Sequence, residues 1–166
     1  RIKQYYRDGG QLFYFGIYGE YEAPSRLSGD FDLNWSFSGY TKHEYKCTPI
    51  AYDYLGDTIF EQEYTKSNLV SAPKEDRLMV PKCVPLKVWI NDSCDSDEED
   101  YESQVTQARR KYANYCTELE LQSPLVMHKA NGGGTIAYLG FVNGQGNIPT
   151  IVRAIVSMQK KTDGIE

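Results

Sequence analysis

The chain has 166 residues, 40% of them hydrophobic and 25% charged, with a net charge of −5. That length suits one domain able to build its own core without metal or staples, so a single domain over 1–166 is expected. No stretch approaches the ~18 consecutive apolar residues of a membrane span, and an acidic balance is the wrong sign for a protein that gains affinity by neutralising phosphates, so nucleic acid is not an expected partner.

In chain order, Leu12-Phe13-Tyr14-Phe15-Gly16-Ile17-Tyr18 follows a Gly9-Gly10 turn and is apolar on both faces, which predicts a central strand. Phe31 to Phe37 is apolar at every odd position and polar at every even one, the pattern of a strand with one buried face. Tyr40 to Cys47 continues extended. Ile50 to Tyr54 and Thr58 to Tyr64 flank Leu55-Gly56-Asp57, a pair of strands about a tight turn. The stretch from Asn68 to Pro81 mixes Ser, Pro and charge and predicts a loop. Pro85 to Ile90, with Val88, Trp89 and Ile90, predicts a further strand.

Ser96-Asp97-Glu98-Glu99 has the form of a capping box and sets the start of a helix over 97–120. Its apolar positions, Tyr101, Val105, Ala108, Tyr112, Cys116 and Leu119, recur at spacings of three and four. Pro124 stops the helix. Three extended segments follow, Leu125 to Lys129, Thr135 to Val142 and Thr150 to Met158, joined by glycine-rich turns. The expected fold class is α+β and mostly β: an antiparallel sandwich or open barrel of about eight strands carrying one long amphipathic helix.

The cysteines are Cys47, Cys83, Cys94 and Cys116, none in a C-x-x-C motif or at zinc-finger spacing from His43 or His128. A metal site is not expected, and neither is a cofactor. Cys94 lies just before the helix and Cys116 near its far end, on the order of 30 Å apart at ~1.5 Å per residue, beyond the ~7 Å reach of a disulfide. A strand between Cys83 and Cys94 would separate those two as well. What remains is Cys47 with Cys94 and Cys83 with Cys116, and with it an oxidising compartment. The chain opens at Arg1 with no initiator Met, no apolar signal segment and no lipidation sequence, which is uninformative by itself; a signal peptide or lipid anchor ahead of Arg1 is an expectation that comes with the oxidising compartment.

Seven acids and no base fall between residues 92 and 102, leaving the other 155 residues at +2. A calcium loop fails there, because Asp95-Ser96-Asp97-Glu98-Glu99-Asp100 lacks the glycine of the sixth position and Thr106 stands where a bidentate Glu belongs. A docking patch for a basic partner is the functional reading, centred on Asp95, Asp97, Glu98, Glu99 and Asp100. The glycine runs Gly132-Gly133-Gly134 and Gly144-x-Gly146 do not open helices and read as turns rather than phosphate cradles. Catalysis has no sequence support: there is no G-x-S-x-G elbow and no H-E-x-x-H pair, and only a spatial grouping such as Ser38 with His43 or His128 would supply one. Fourteen tyrosines are an aromatic excess that suits recognition, since Tyr covers a large area with few rotatable bonds. Tyr5, Tyr6, Tyr18, Tyr21, Tyr52 and Tyr54 are the candidates, with Tyr18, Tyr21, Tyr52 and Tyr54 foremost.

Leu78-Met79-Val80-Pro81 leading into Leu86-Lys87-Val88-Trp89-Ile90, then Gly132-Gly133-Gly134-Thr135-Ile136-Ala137-Tyr138-Leu139 and a second glycine turn, resembles small bacterial envelope lipoproteins that serve as immunity partners of secreted antibacterial toxins. The resemblance covers about two fifths of the chain, through strand-and-glycine patterns of low specificity, and carries no functional residue across. It implies a periplasmic binding protein without catalysis. The expected function is therefore that of a non-enzymatic periplasmic or secreted binding protein, an immunity-type inhibitor of a cognate toxin. The alternative is a β-barrel carrier of an apolar or aromatic small molecule.

Overall fold

The computed structural model describes residues 1–17, 19–51, 62–94, 100–131 and 133–142. Its elements are α1 (Ile2–Arg7), β1 (Gln11–Phe15), α2 (Ala23–Phe31), β2 (Ser36–Cys47), β3 (Gln62–Ser71), a 3-10 turn (Lys74–Asp76), β4 (Arg77–Pro81), α3 (Leu86–Ser93), α4 (Tyr101–Glu120), β5 (Gln122–Ser123), β6 (Leu125–Lys129) and β7 (Thr135–Leu139). Residues 49–51 are also helical.

The seven strands form one mixed sheet in the order β1-β7-β6-β4-β2-β3-β5. β1 runs parallel to β7, and every other pairing is antiparallel. The sheet curls until β3 meets the chain that follows β7: Ser67 of β3 bridges Phe141 beyond the end of β7, and the Asn68 amide donates to the Gly140 carbonyl at 2.8 Å. Gly140 allows that approach, because a Cβ there would collide with the Asn68 carbonyl.

Strand alternation then divides the apolar residues between two cores. Leu125, Met127, Ala137 and Leu139 point to the concave side and pack with Tyr45, Leu69, Leu78, Met79 and Phe141, all at 0–2% exposure. Val126, Ile136 and Tyr138 point to the other side, where they meet Tyr6 of α1, Ala23 of α2 and Trp35. Burying such side chains contributes ~1.5–3 kcal/mol each before chain entropy is subtracted, so both faces drive the curl.

The α+β class is present, with corrections. The sheet is mixed rather than wholly antiparallel, and helices take a larger share than one long element; seven strands lie among the described residues, and the expected strand from Thr150 falls outside them. The segment expected as a central strand is β1, which lies at the end of the strand order and leaves Phe15 and Ile17 exposed. Phe31 closes α2 instead of opening a strand. Pro24 occupies its first turn, and Asp32 takes a left-handed conformation, φ 56°, that turns the chain before Ser36. The alternation still marked burial correctly, since Phe31, Leu33 and Trp35 all pack in the second core.

The segment read as a loop from Asn68 holds the end of β3 and all of β4, whose Leu78 and Met79 pack in the concave core. Pro85 to Ile90 is helical: Pro85 is the N-cap of α3, and Trp89 packs against α4. The β-branched residues there yield to tertiary contact, as propensity commonly does. Residue 50 is helical rather than extended. The long helix begins at Tyr101, and its N-cap Asp100 makes no side-chain capping bond. The predicted capping box, the turn about Gly56 and the strand from Thr150 to Met158 lie outside the described residues.

Candidate functional site

Three arrangements concentrate chemistry or exposed apolar surface. The first surrounds Asp76, a carboxylate 5% exposed in the 3-10 turn. Trp35 Nε1 donates to its Oδ2 at 2.8 Å, and His128 Nδ1 stands 3.0 Å from its Oδ1. A buried carboxylate needs such partners. The His128 side chain remains 37% exposed. Burial, with a contribution from the Asp76 charge, raises the pKa of the neighbouring Tyr6 phenol. An imidazole held by a buried carboxylate can act as a base, yet the described contacts bring no nucleophile to it. Ser38 and His43 stand five residues apart on β2, roughly 16 Å, so they do not assemble a triad. Burial lowers the pKa of His43, favouring its neutral form.

The second is a cleft of about 750 Å³ on the convex side of the sheet, between α1, β1 and α2. Ile2, Leu12, Tyr14, Leu27, Phe31 and Ile136 form its walls, and Arg1, Lys3 and Asp30 also border it. Lys3 Nζ lies 2.8 Å from Asp30 Oδ1, joining α1 to α2. Tyr14 is fixed by donating to Glu20 at 2.6 Å and by stacking on Tyr138.

The third is the helical pair α3 and α4. None of the residues of α3 is buried, and only Ala108 and Leu119 are buried in α4. The helices hold each other: Trp89 stacks on Tyr115 with ring centroids 4.4 Å apart, Trp89 Nε1 donates to the Ala108 carbonyl at 3.1 Å, and Tyr112 donates to the Val84 carbonyl at 2.6 Å. A disulfide between Cys83 and Cys116, Cα atoms 5.4 Å apart, staples the start of α3 to the end of α4. Near that end Arg77 donates to the Glu120 carbonyl and Lys46 pairs with the Glu120 carboxylate at 3.2 Å, tying the pair to the sheet. Leu86 and Val88 are exposed on α3.

The sequence-predicted site residues divide as follows. The Cys83–Cys116 bridge is present. The Cys47–Cys94 bridge is not formed. Cys47 packs at the margin of the concave core, whereas Cys94 caps α3, a helix with no buried residue. Tyr21 is 38% exposed and packs on Phe37 at 4.8 Å between ring centroids. Tyr5 is exposed and Tyr6 buried. Asp100 is exposed at the N-cap of α4 and accepts from Gln104 at 2.7 Å. Tyr18, Tyr52, Tyr54, Asp95, Asp97, Glu98 and Glu99 lie outside the described residues. Among the described residues no cluster of His, Cys, Asp and Glu could hold a metal ion, and no helix is long and apolar enough to cross a membrane.

Sequence reasoning missed the Asp76 site and the cleft. His128 and Asp76 are 52 positions apart, so no local pattern links them. The cleft depends on α2, whose signal was Pro24 in a first turn followed by the small and polar residues that a strand reading of Phe31 overlooked. No protein family, curated protein or solved structure matches the chain.

Proposed function

We propose that the chain is a non-enzymatic binding protein of the periplasm or extracellular space, an immunity-type inhibitor that presents the α3–α4 pair to a basic surface on a cognate toxin. The observation that carries this reading is the coincidence of charge and exposure on that pair. Asp92, Asp100 and Glu102 are exposed at the adjoining ends of the two helices, and the remaining acids of the run belong to the segment that joins them. Leu86 and Val88 add exposed apolar surface on α3. Like charges gathered in one place speed encounter with a basic partner and reject wrong ones, while apolar anchors hold the complex. The Cys83–Cys116 bridge is compatible with an oxidising compartment.

The test is binding of the immobilised protein to the secreted toxins of its own host, compared with a variant in which Asp95, Asp97, Glu98, Glu99 and Asp100 are all changed to Asn or Gln. Loss of toxin binding and protection in the variant, together with weakening of the wild-type complex at high salt, is expected. A toxin bound equally well by both proteins at all salt concentrations removes the acidic patch from the reading.

A second reading, that of a carrier of an apolar or aromatic small molecule, draws support from the cleft between α1, β1 and α2. The concave side of the sheet is occupied by Tyr45, Leu69, Met79, Leu125, Met127 and Phe141. The carrier reading therefore draws on the cleft outside the curl.

A further inference from the structure

We infer that the cleft between α1, β1 and α2 binds a small amphipathic anion, an alkyl or aryl carboxylate whose apolar body lies against Leu12, Tyr14, Leu27 and Phe31 and whose head group meets Arg1 and Lys3. This deepens the carrier reading and rests on it. A volume of about 750 Å³ falls within the ~300–1,000 Å³ of small-molecule pockets, and the walls are apolar and aromatic, as such pockets usually are.

The border supplies the polarity. Two cations, Arg1 and Lys3, face one carboxylate, Asp30, so this edge carries an excess of positive charge on a protein whose net charge is −5. The Lys3–Asp30 pair is more than half exposed on both sides, and such pairs contribute little, so an entering carboxylate can share or replace Asp30 on Lys3 at small cost. The Arg1 guanidinium offers the planar fork of donors that carboxylates match. A cationic head group would meet Arg1 and Lys3 as like charges. A neutral one would gain no charge-assisted bond. The chemistry of the border therefore selects the anion.

Calorimetric titration of the whole chain with decanoate, decanol and decylamine separates the contributions, since the three probes share one alkyl chain. Decanoate is expected to bind at one site about tenfold or more tighter than the other two, and the R1Q/K3Q double variant to reduce its affinity to that of decanol. Leu27→Trp, which fills the wall, and Ile2→Trp, at a position 64% exposed and so tolerant of change, are each expected to block binding. Equal affinity for all three probes would overturn the head-group assignment and leave the carrier reading standing. Saturable binding that survives both Trp variants would overturn this location. No saturable binding of any probe would overturn the inference and the carrier reading together.

Discussion

Asp76 receives the Trp35 indole N–H on one carboxylate oxygen and faces the His128 ring nitrogen, 3.0 Å away, with the other. The three residues come from separate parts of the chain: the end of the turn after α2, the 3-10 turn before β4, and β6. The carboxylate thus fastens α2's exit to the convex face of the sheet. Asp76→Ala should destabilise by about 2–4 kcal/mol, because the buried Trp35 donor loses its acceptor while His128 loses an anion. His128→Ala should cost about 1 kcal/mol or less, its ring being partly in water. Urea unfolding of the two variants gives the comparison, and an equal loss in both would contradict the assignment of Asp76 as the hub.

The Cys83–Cys116 bridge closes a loop of sequence separation 33. In the chain-entropy treatment this contributes about 3–4 kcal/mol, so Cys83→Ser, or reduction of the native protein, should lower the melting temperature by several degrees or more. Peptide mapping without reductant should recover this linkage and no Cys47–Cys94 peptide.

Burial drives the Tyr45 phenol up to about 12 from its usual 10, outweighing the hydrogen bond it shares with Ser67. Since the unfolded chain ionises this phenol first, its contribution to stability is complete below pH 10 and is lost as pH rises from 10 to about 12. The loss amounts to roughly 2–3 kcal/mol. Tyr45→Phe should flatten that part of the alkaline limb, at a cost of about 1 kcal/mol at neutral pH for the missing bond to Ser67. Equilibrium unfolding from pH 9 to 12 checks both statements.

Gly140→Ala should cost about 1–3 kcal/mol or more, since the added methyl must push the Asn68 backbone away at the point where the sheet closes on itself. Hydrogen exchange should show the Asn68 amide, which donates to Gly140, losing protection before the β6–β7 pair does. Uniform loss across the sheet would mean that closure and the sheet form one cooperative unit.

Local periodicity decided much of this protein. The stripe from Tyr101 to Leu119 made α4 legible because a surface helix repeats its contacts every three or four residues, and the apolar segments at Leu125 and Thr135 marked the adjacent strands β6 and β7 for the same local reason. Helix length excluded Cys94 from Cys116, and the span between Cys83 and Cys94 excluded that pair, which left Cys83 for Cys116; the eight-residue helix that stands there in place of the expected strand still spans ~12 Å, beyond a disulfide's reach. What only the tertiary structure decided concerns residues whose neighbours are distant in sequence. Trp89 is helical because Tyr112 and Tyr115 receive it there, Phe31 ends a helix because α2 covers the convex core, and Asp76 meets His128 only after β4 and β6 pair. An alternating pattern records which residues will be buried. Which backbone carries them there depends on long-range packing, whose energy exceeds the fraction of a kcal/mol by which one residue prefers helix or strand.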